Sequence, residues 1–307
     1  MQSTQNKRRI GVLRGGTEGD YHASLREGGE VISHIFENLS DRWKVLDIFV
    51  DRGGVWHLSG IKAEPADLVN NIDVVWNTAE PRFGNILQNL SIPTINISSF
   101  SSLLRENHEM LREHIEELGL QMPKKIVLPS YQEDFDGEAH LYAAKKAKEI
   151  WQKFPAPWIV KSFTEDNTMA KDYRHAAKTF PDLVDAILDG VHHNKSILVE
   201  ELISGADVSG HSVAGFRDQG VYVFPFEGVN REHKRKLEDV LRDLHHHLGA
   251  THYLHSDFTI HPEKGIFITD VSFSPDLKQG SHFHQVCESI GAKMHHVIEH
   301  MLEKSLR

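Results

Sequence analysis

Apolar and polar positions alternate along this chain in patterns that predict distinct elements. Arg9-Ile10-Gly11-Val12-Leu13 is a short, nearly continuous apolar run that enters Arg14-Gly15-Gly16-Thr17, so it reads as a buried strand ending in a glycine turn. From Ser24 to Leu39 the period changes: Leu25, Val31, Ile32, Ile35, Phe36 and Leu39 recur near 3.6 residues, the spacing of an amphipathic helix. Lys44 to Val50, Asp73 to Trp76 and Pro93 to Asn96 are further strand candidates. Strands that alternate with helices predict a doubly wound α/β unit with a mostly parallel sheet and a site at the strand C-termini. One helix is expected from Ser101 to Leu120, ending at Gly119. Another, Arg231 to Leu248, carries Leu237, Val240, Leu241, Leu244 and Leu248 on one stripe and stops at Gly249. A final helix is expected from His284 to Leu306.

Between the last two helices lie two β-rich runs, Asp257–Ile260 and Ile266–Asp270, joined by His261-Pro262-Glu263-Lys264-Gly265. The Pro and Gly suit a hairpin turn. Folding the runs together sets Asp257 roughly opposite Asp270, and strand alternation puts Ser272 on the face of Asp270. These three oxygen donors form a candidate site for a hard cation such as Mg²⁺. The plainer alternative is an edge hairpin with solvated acids.

Composition narrows the classes. A chain of 307 residues, 39% hydrophobic and 25% charged, is a globular protein large enough for two or three subdomains. A net charge of −10 argues against a nucleic-acid partner. No run approaches the length of a membrane span, MQSTQNKRRI lacks a signal-peptide core, and Cys287 is the single cysteine, so a cytoplasmic protein without membrane contact is expected. Cys287 reads as a packed helical residue. His245-His246-His247 invites a metal hypothesis, but consecutive helical residues point about 100° apart and cannot chelate one ion together. The run reads instead as polar groups that suit a helix C-terminus.

Taken together, the hairpin and the glycine turn resemble the ATP-grasp ligases, and specifically the D-alanine–D-alanine ligase family. In that family an Asp and then a Glu-x-Asn hold two Mg²⁺, followed by Ser-Pro-Gly; here Asp257, Asp270-Val271-Ser272 and Ser274-Pro275-Asp276 occupy those places. Gly15-Gly16-Thr17 and Ala23-Ser24-Leu25 match the first loop, with Asp20 where a Glu helps hold the first amino acid. Asn77, Arg82, Phe83 and Gly84 match part of a later segment, while Glu80-Pro81 replaces His-Gly. The resemblance implies nucleotide contacts at His108 (the family has Lys there), Lys161, Glu200, Leu202, Ile203 and Asp207, with Lys161 toward phosphates, Glu200 and the main chain of Leu202 and Ile203 toward adenine, and Asp207 toward ribose. A Lys simply marking a strand end is the plainer alternative for Lys161. Ser281 keeps the place of a residue that contacts the second amino acid, and His255 replaces an Arg that supports the tetrahedral intermediate.

Several family features are missing. The Gly-rich phosphate lid is replaced by Thr164-Glu165-Asp166-Asn167-Thr168-Met169-Ala170, which loses both glycines and adds two acids. The loop that covers the substrates is absent, because Val221–Val229 runs almost directly into Arg231. The resemblance implies an ATP-grasp fold in three parts, 1–105, 106–204 and 205–307, with ATP and Mg²⁺ as cofactors, amino-acid substrates and a dimer as the common assembly. The implied activity joins two D-alanine units through an acyl-phosphate, for peptidoglycan biosynthesis, with an altered substrate as a variant. The alternative is a pseudoenzyme that binds nucleotide or a protein partner without catalysis.

Overall fold

The computed structural model describes residues 7–17, 21–95, 99–163, 169–193 and 196–306. The first sheet contains β1 (Arg8–Gly15), β2 (Trp43–Val50), β3 (Trp56–Leu58), β4 (Ile61–Lys62), β5 (Val74–Asn77) and β6 (Thr94–Ile95), in the order β4-β3-β2-β1-β5-β6. β1 lies between β2 and β5 and is parallel to both, which is why Ile10, Val12 and Leu13 are wholly buried. β3 and β4 continue the edge in antiparallel fashion. Helix α1 (Tyr21–Asn38) covers the sheet with Val31 and Ile35, and α2 (Pro81–Asn89) starts on a proline, whose missing N–H costs nothing at a first helical turn.

The single helix expected from Ser101 to Leu120 is two: α3 (Ser99–Glu106) and α4 (His108–Glu117). Asn107 separates them in an extended conformation, and its side-chain oxygen accepts the Met110 N–H at 3.1 Å. Asn is a better cap than helix interior, so the apolar period runs on while the backbone breaks.

The second sheet, β7-β10-β8-β9, contains β7 (Lys125–Leu128), β8 (Trp158–Phe163), β9 (Met169–Ala177) and β10 (Ser196–Glu201). Between these strands run α5 (Tyr131–Asp134), α6 (Ala139–Lys153) and α7 (Phe180–His192), of which α6 and α7 pack Ala147, Ile150, Leu183 and Ile187 with Trp158, Val160 and Val199. The third sheet, β12-β11-β13-β14, contains β11 (Ala206–Ala214), β12 (Val221–Val223), β13 (Tyr253–His261) and β14 (Gly265–Ser272). α8 (Arg231–His247) follows β12 and buries Leu237, Leu241 and Leu244. The last expected helix is also broken, into α9 (His282–Ser289) and α10 (Met294–Ser305), because Gly291 takes a φ of +69° and ends the first.

The chain forms two compact units, one of Met1–Leu120, Asp207–Phe258 and Asp270–Arg307, the other of Gln121–Ala206 and Thr259–Thr269. In the first, Ile10, Val31 and Trp76 share one core with Val213, Phe224, Phe283 and Val297. Among the described residues no helix is long and apolar enough to cross a membrane.

Candidate functional site

The hairpin of β13 and β14 turns as its sequence predicts. Gly265 has a φ of +88°, and His261 Nδ1 accepts the N–H groups of Glu263 and Lys264 at 3.0 Å each. Alternation along β13 places His255 and Asp257 on one face, with Leu254, Ser256 and Phe258 buried on the other. His255 Nε2 lies 3.2 Å from Asp257 Oδ1, which also accepts a hydrogen bond from the Ser209 hydroxyl of β11. Burial alone would raise the Asp257 carboxyl, but hydrogen bonds from His255 and Ser209 outweigh it and hold the group below the usual carboxylate range.

Ligand atoms of His255, Asp257 and Asp270 all lie within 4.8 Å of one another. Ser272, expected as the third oxygen, has its hydroxyl in a local turn: it donates to the Ser274 carbonyl at 3.1 Å and accepts the Ser274 N–H at 3.3 Å. An imidazole, that of His255, also stands beside the two carboxylates. The donor set still fits a divalent cation, since Mg²⁺ is commonly held by one or two carboxylates with the remaining positions filled by substrate and water.

In the second unit, β10 carries Glu200 between two lysines. Lys161 of β8 donates to Glu200 Oε2, and Lys125 of β7 lies 3.0 Å from Oε1. Burial would raise Glu200, yet the two ammonium groups reverse this and keep it below the ordinary glutamate value. Lys125 was not expected from the sequence; its cue, a cation beginning a strand, is common at any strand end. The Leu202 N–H donates to the Pro157 carbonyl at 2.9 Å. Asp207 is exposed at the start of β11, and His108 is exposed at the first position of α4. Ser281 caps α9 by accepting the His284 N–H at 3.2 Å and donates to the Asp276 carbonyl at 2.8 Å. Asp20, Glu165 and Asp166 lie outside the described residues.

No protein-family model matches the chain. A D-alanine–D-alanine ligase of Halalkalibacterium halodurans is 22% identical, with 97% of this chain and 99% of that protein covered. Among solved structures, the VanG D-Ala:D-Ser ligase from Enterococcus faecalis superposes with a TM-score of 0.72 at 16% identity, over 97% of this chain and 99% of that one. A D-alanine–D-alanine ligase from Bacillus anthracis, solved with ATP, gives 0.66 at 16% identity over 98% of both chains. This chain has the D-alanine–D-alanine ligase fold.

Within that ATP-grasp scaffold, the glycine turn after β1 is occupied by the protein's own carboxylate. Gly16 has a φ of +130°, which favours glycine, and a Cβ there would come within 2.4 Å of Glu80 Oε1, so the carboxylate would have to shift. Glu80 accepts the Thr17 N–H, and Arg82 ties the assembly by donating to Glu80 and to the Thr17 hydroxyl. Gly15 N–H donates to Ser24 Oγ at 2.9 Å, and Asn77 Oδ1 accepts the Ala79 N–H at 2.9 Å. The matched segment Asn77–Gly84 thus meets the matched glycine turn in this ligase fold.

Behind the hairpin runs a chain of rings that the sequence did not reveal. His211, buried in β11, stacks on His255 with ring centres 4.7 Å apart; its Nδ1 is 2.6 Å from the Tyr253 hydroxyl and its Nε2 is 2.7 Å from His282 Nδ1. Burial, reinforced by His255 and His282, pushes His211 well below the usual imidazole value. A neutral His211 offers one donor and one acceptor, so Tyr253 donating to Nδ1 and Nε2–H donating to His282 satisfies both nitrogens. A separate cavity of about 730 Å³, lined by Glu30, His34, Lys278 and His284 among others, contains none of the expected site residues.

Proposed function

We propose that this chain is an ATP-dependent carboxylate–amine ligase of the D-alanine–D-alanine ligase type, acting in the cytoplasm with Mg²⁺ on small amino-acid substrates. In that reaction a substrate carboxylate attacks the terminal phosphate of ATP, ADP leaves, and the amine of a second substrate displaces phosphate to form an amide. The observation that carries the reading is the convergence of the Asp257 and Asp270 carboxylates on one hairpin of this fold. Those carboxylates are the residues that would hold Mg²⁺, which when bound neutralises phosphate charge.

Ser209 and His255 keep Asp257 ionised and oriented, so the carboxylate is prepared as an anionic ligand. His255 offers an N–H donor where the family has Arg. Lys161 and Lys125 share one carboxylate, so the trio retains one net positive charge for phosphate. Leu202 and Ile203 would line adenine, and Asp207 would take ribose hydroxyls. Glu80 at the glycine turn favours a first substrate other than D-alanine, since it places a carboxylate, held by the Thr17 N–H and Arg82, where the family has the His of His-Gly.

A second reading, a nucleotide-binding or protein-interaction module without catalysis, draws on the same Lys161–Glu200 pair, because an ion-paired ammonium is a weaker phosphate partner. Release of ADP or phosphate with Mg²⁺ and a panel of D- and L-amino acids separates the two. Turnover on any pair supports the ligase; silence across the panel in cooperatively folded protein leaves the module.

A further inference from the structure

The three histidines that end α8 take three different environments. His245 is 1% exposed, with Nδ1 2.8 Å from Ser212 Oγ; His246 is exposed; His247 faces α4. There it meets His114 and Glu117, which are one helical turn apart and so share a face. His114 Nδ1 lies 3.2 Å from His247 Nε2, Glu117 Oε2 lies 3.4 Å from His114 Nδ1, and the same Oε2 lies 3.4 Å from His247 Nε2.

Those three separations form a nearly equilateral triangle. In a tetrahedral zinc site with bonds of about 2.0–2.1 Å, ligand atoms stand roughly 3.3–3.4 Å apart, because the edge of a tetrahedron is about 1.63 times its centre-to-corner length. The set of two imidazoles and one carboxylate matches zinc in donor type as well as in spacing. The Phe100 ring, 5.2 Å from His114 and perpendicular to it, holds one ligand plane in place. Both histidines are only about a quarter exposed, at 26% and 28%, whereas Glu117 is open to solvent at 62%, so an entry path exists on the carboxylate side.

We propose that His114, Glu117 and His247 form a binding site for Zn²⁺ that clamps α4 to α8, with water completing the tetrahedron. It is separate from the hairpin acids: it takes a late transition metal through nitrogen, and it joins segments 133 residues apart in sequence. The histidine run is thus a metal site after all, but through a single member and two ligands from elsewhere in the chain.

The test uses the full chain stripped with chelator, titrated with Zn²⁺ against a chromophoric competitor, and with Co²⁺ for its visible absorption. One equivalent of tightly held metal and the intense bands of tetrahedral Co²⁺ are expected. His114→Ala and His247→Ala should each weaken that equivalent at least tenfold, while His246→Ala and Asp257→Asn leave it intact. Glu117→Gln, a change at an exposed residue, provides a variant that preserves folding and should also weaken binding. An unchanged titration in His247→Ala and Glu117→Gln, an equivalent lost with Asp257→Asn instead, or no tight zinc in the wild type would each overturn the proposal.

Discussion

Lys161 donates to Glu200 across neighbouring strands, while Lys125 approaches the other carboxylate oxygen from the opposite strand at 3.0 Å. Glu200 is 7% exposed, so deleting it leaves two ammonium groups facing each other with little water. Glu200→Ala should destabilise the protein by about 3–5 kcal/mol, the usual effect of breaking a buried pair from one side. Its folded pKa is depressed, so its contribution is present above the unfolded value and is lost as pH falls through the folded one. Chemical denaturation of wild type and variant should converge in acid and diverge at neutral pH.

If Lys161 also serves nucleotide, Mg·ATP should raise the melting temperature and Lys161→Ala should remove that rise. Thermal shift with and without Mg·ATP checks it. A rise of the same size in the variant takes Lys161 out of the binding site.

Two buried histidines make the fold sensitive to mild acid. Burial, together with neighbouring positive groups, lowers His245 and His252 to about 4 each. The unfolded chain binds these protons more readily, so the stabilisation is complete above about 6.5 and is lost as pH falls toward 4. On that basis each group costs the fold roughly 3 kcal/mol by about pH 4 relative to neutral pH. His252 is held by Ser305 Oγ at 2.7 Å and Thr251 Oγ1 at 2.9 Å, so His252→Gln is the mildest replacement. Unfolding curves from pH 7 to 4 should be flatter in this variant than in the wild type; parallel curves would refute the assignment.

His255 stands two residues before Asp257, where the family carries a permanently charged Arg. Loss of one preorganised donor costs roughly 10²–10³ in rate. His255→Arg should therefore raise kcat for any substrate that turns over, and steady-state kinetics will show whether kcat rather than KM responds. A fall in kcat would indicate that the stack on His211 matters more than the charge.

Glu80 links the glycine turn to the start of α2 through Thr17 and Arg82. With its side chain 10% exposed, Glu80→Ala leaves the Thr17 N–H without this acceptor and should cost about 1–3 kcal/mol. The melting temperature reports the loss, and the same variant should alter the amino-acid preference of the proposed ligase reaction. An unchanged preference would separate Glu80 from substrate selection.

Local pattern in the sequence already determined the element types, because periodicity and turn chemistry act over a few residues. The apolar run ending at Gly15, the stripe of α8 and the Pro-Gly hairpin all fold as their spacing predicts. The opposition of Asp257 and Asp270 was legible for the same reason: a two-residue alternation on a short hairpin leaves little freedom. The breaks at Asn107 and Gly291 were not, since capping competes with an apolar period that continues through them. Only the tertiary structure decided which distant side chains meet. Ser272 bonded to Ser274, His255 came to lie against Asp257, Lys125 joined Glu200, and His247 found His114. Such pairings depend on how helices and strands far apart in sequence pack, and no local period encodes that distance.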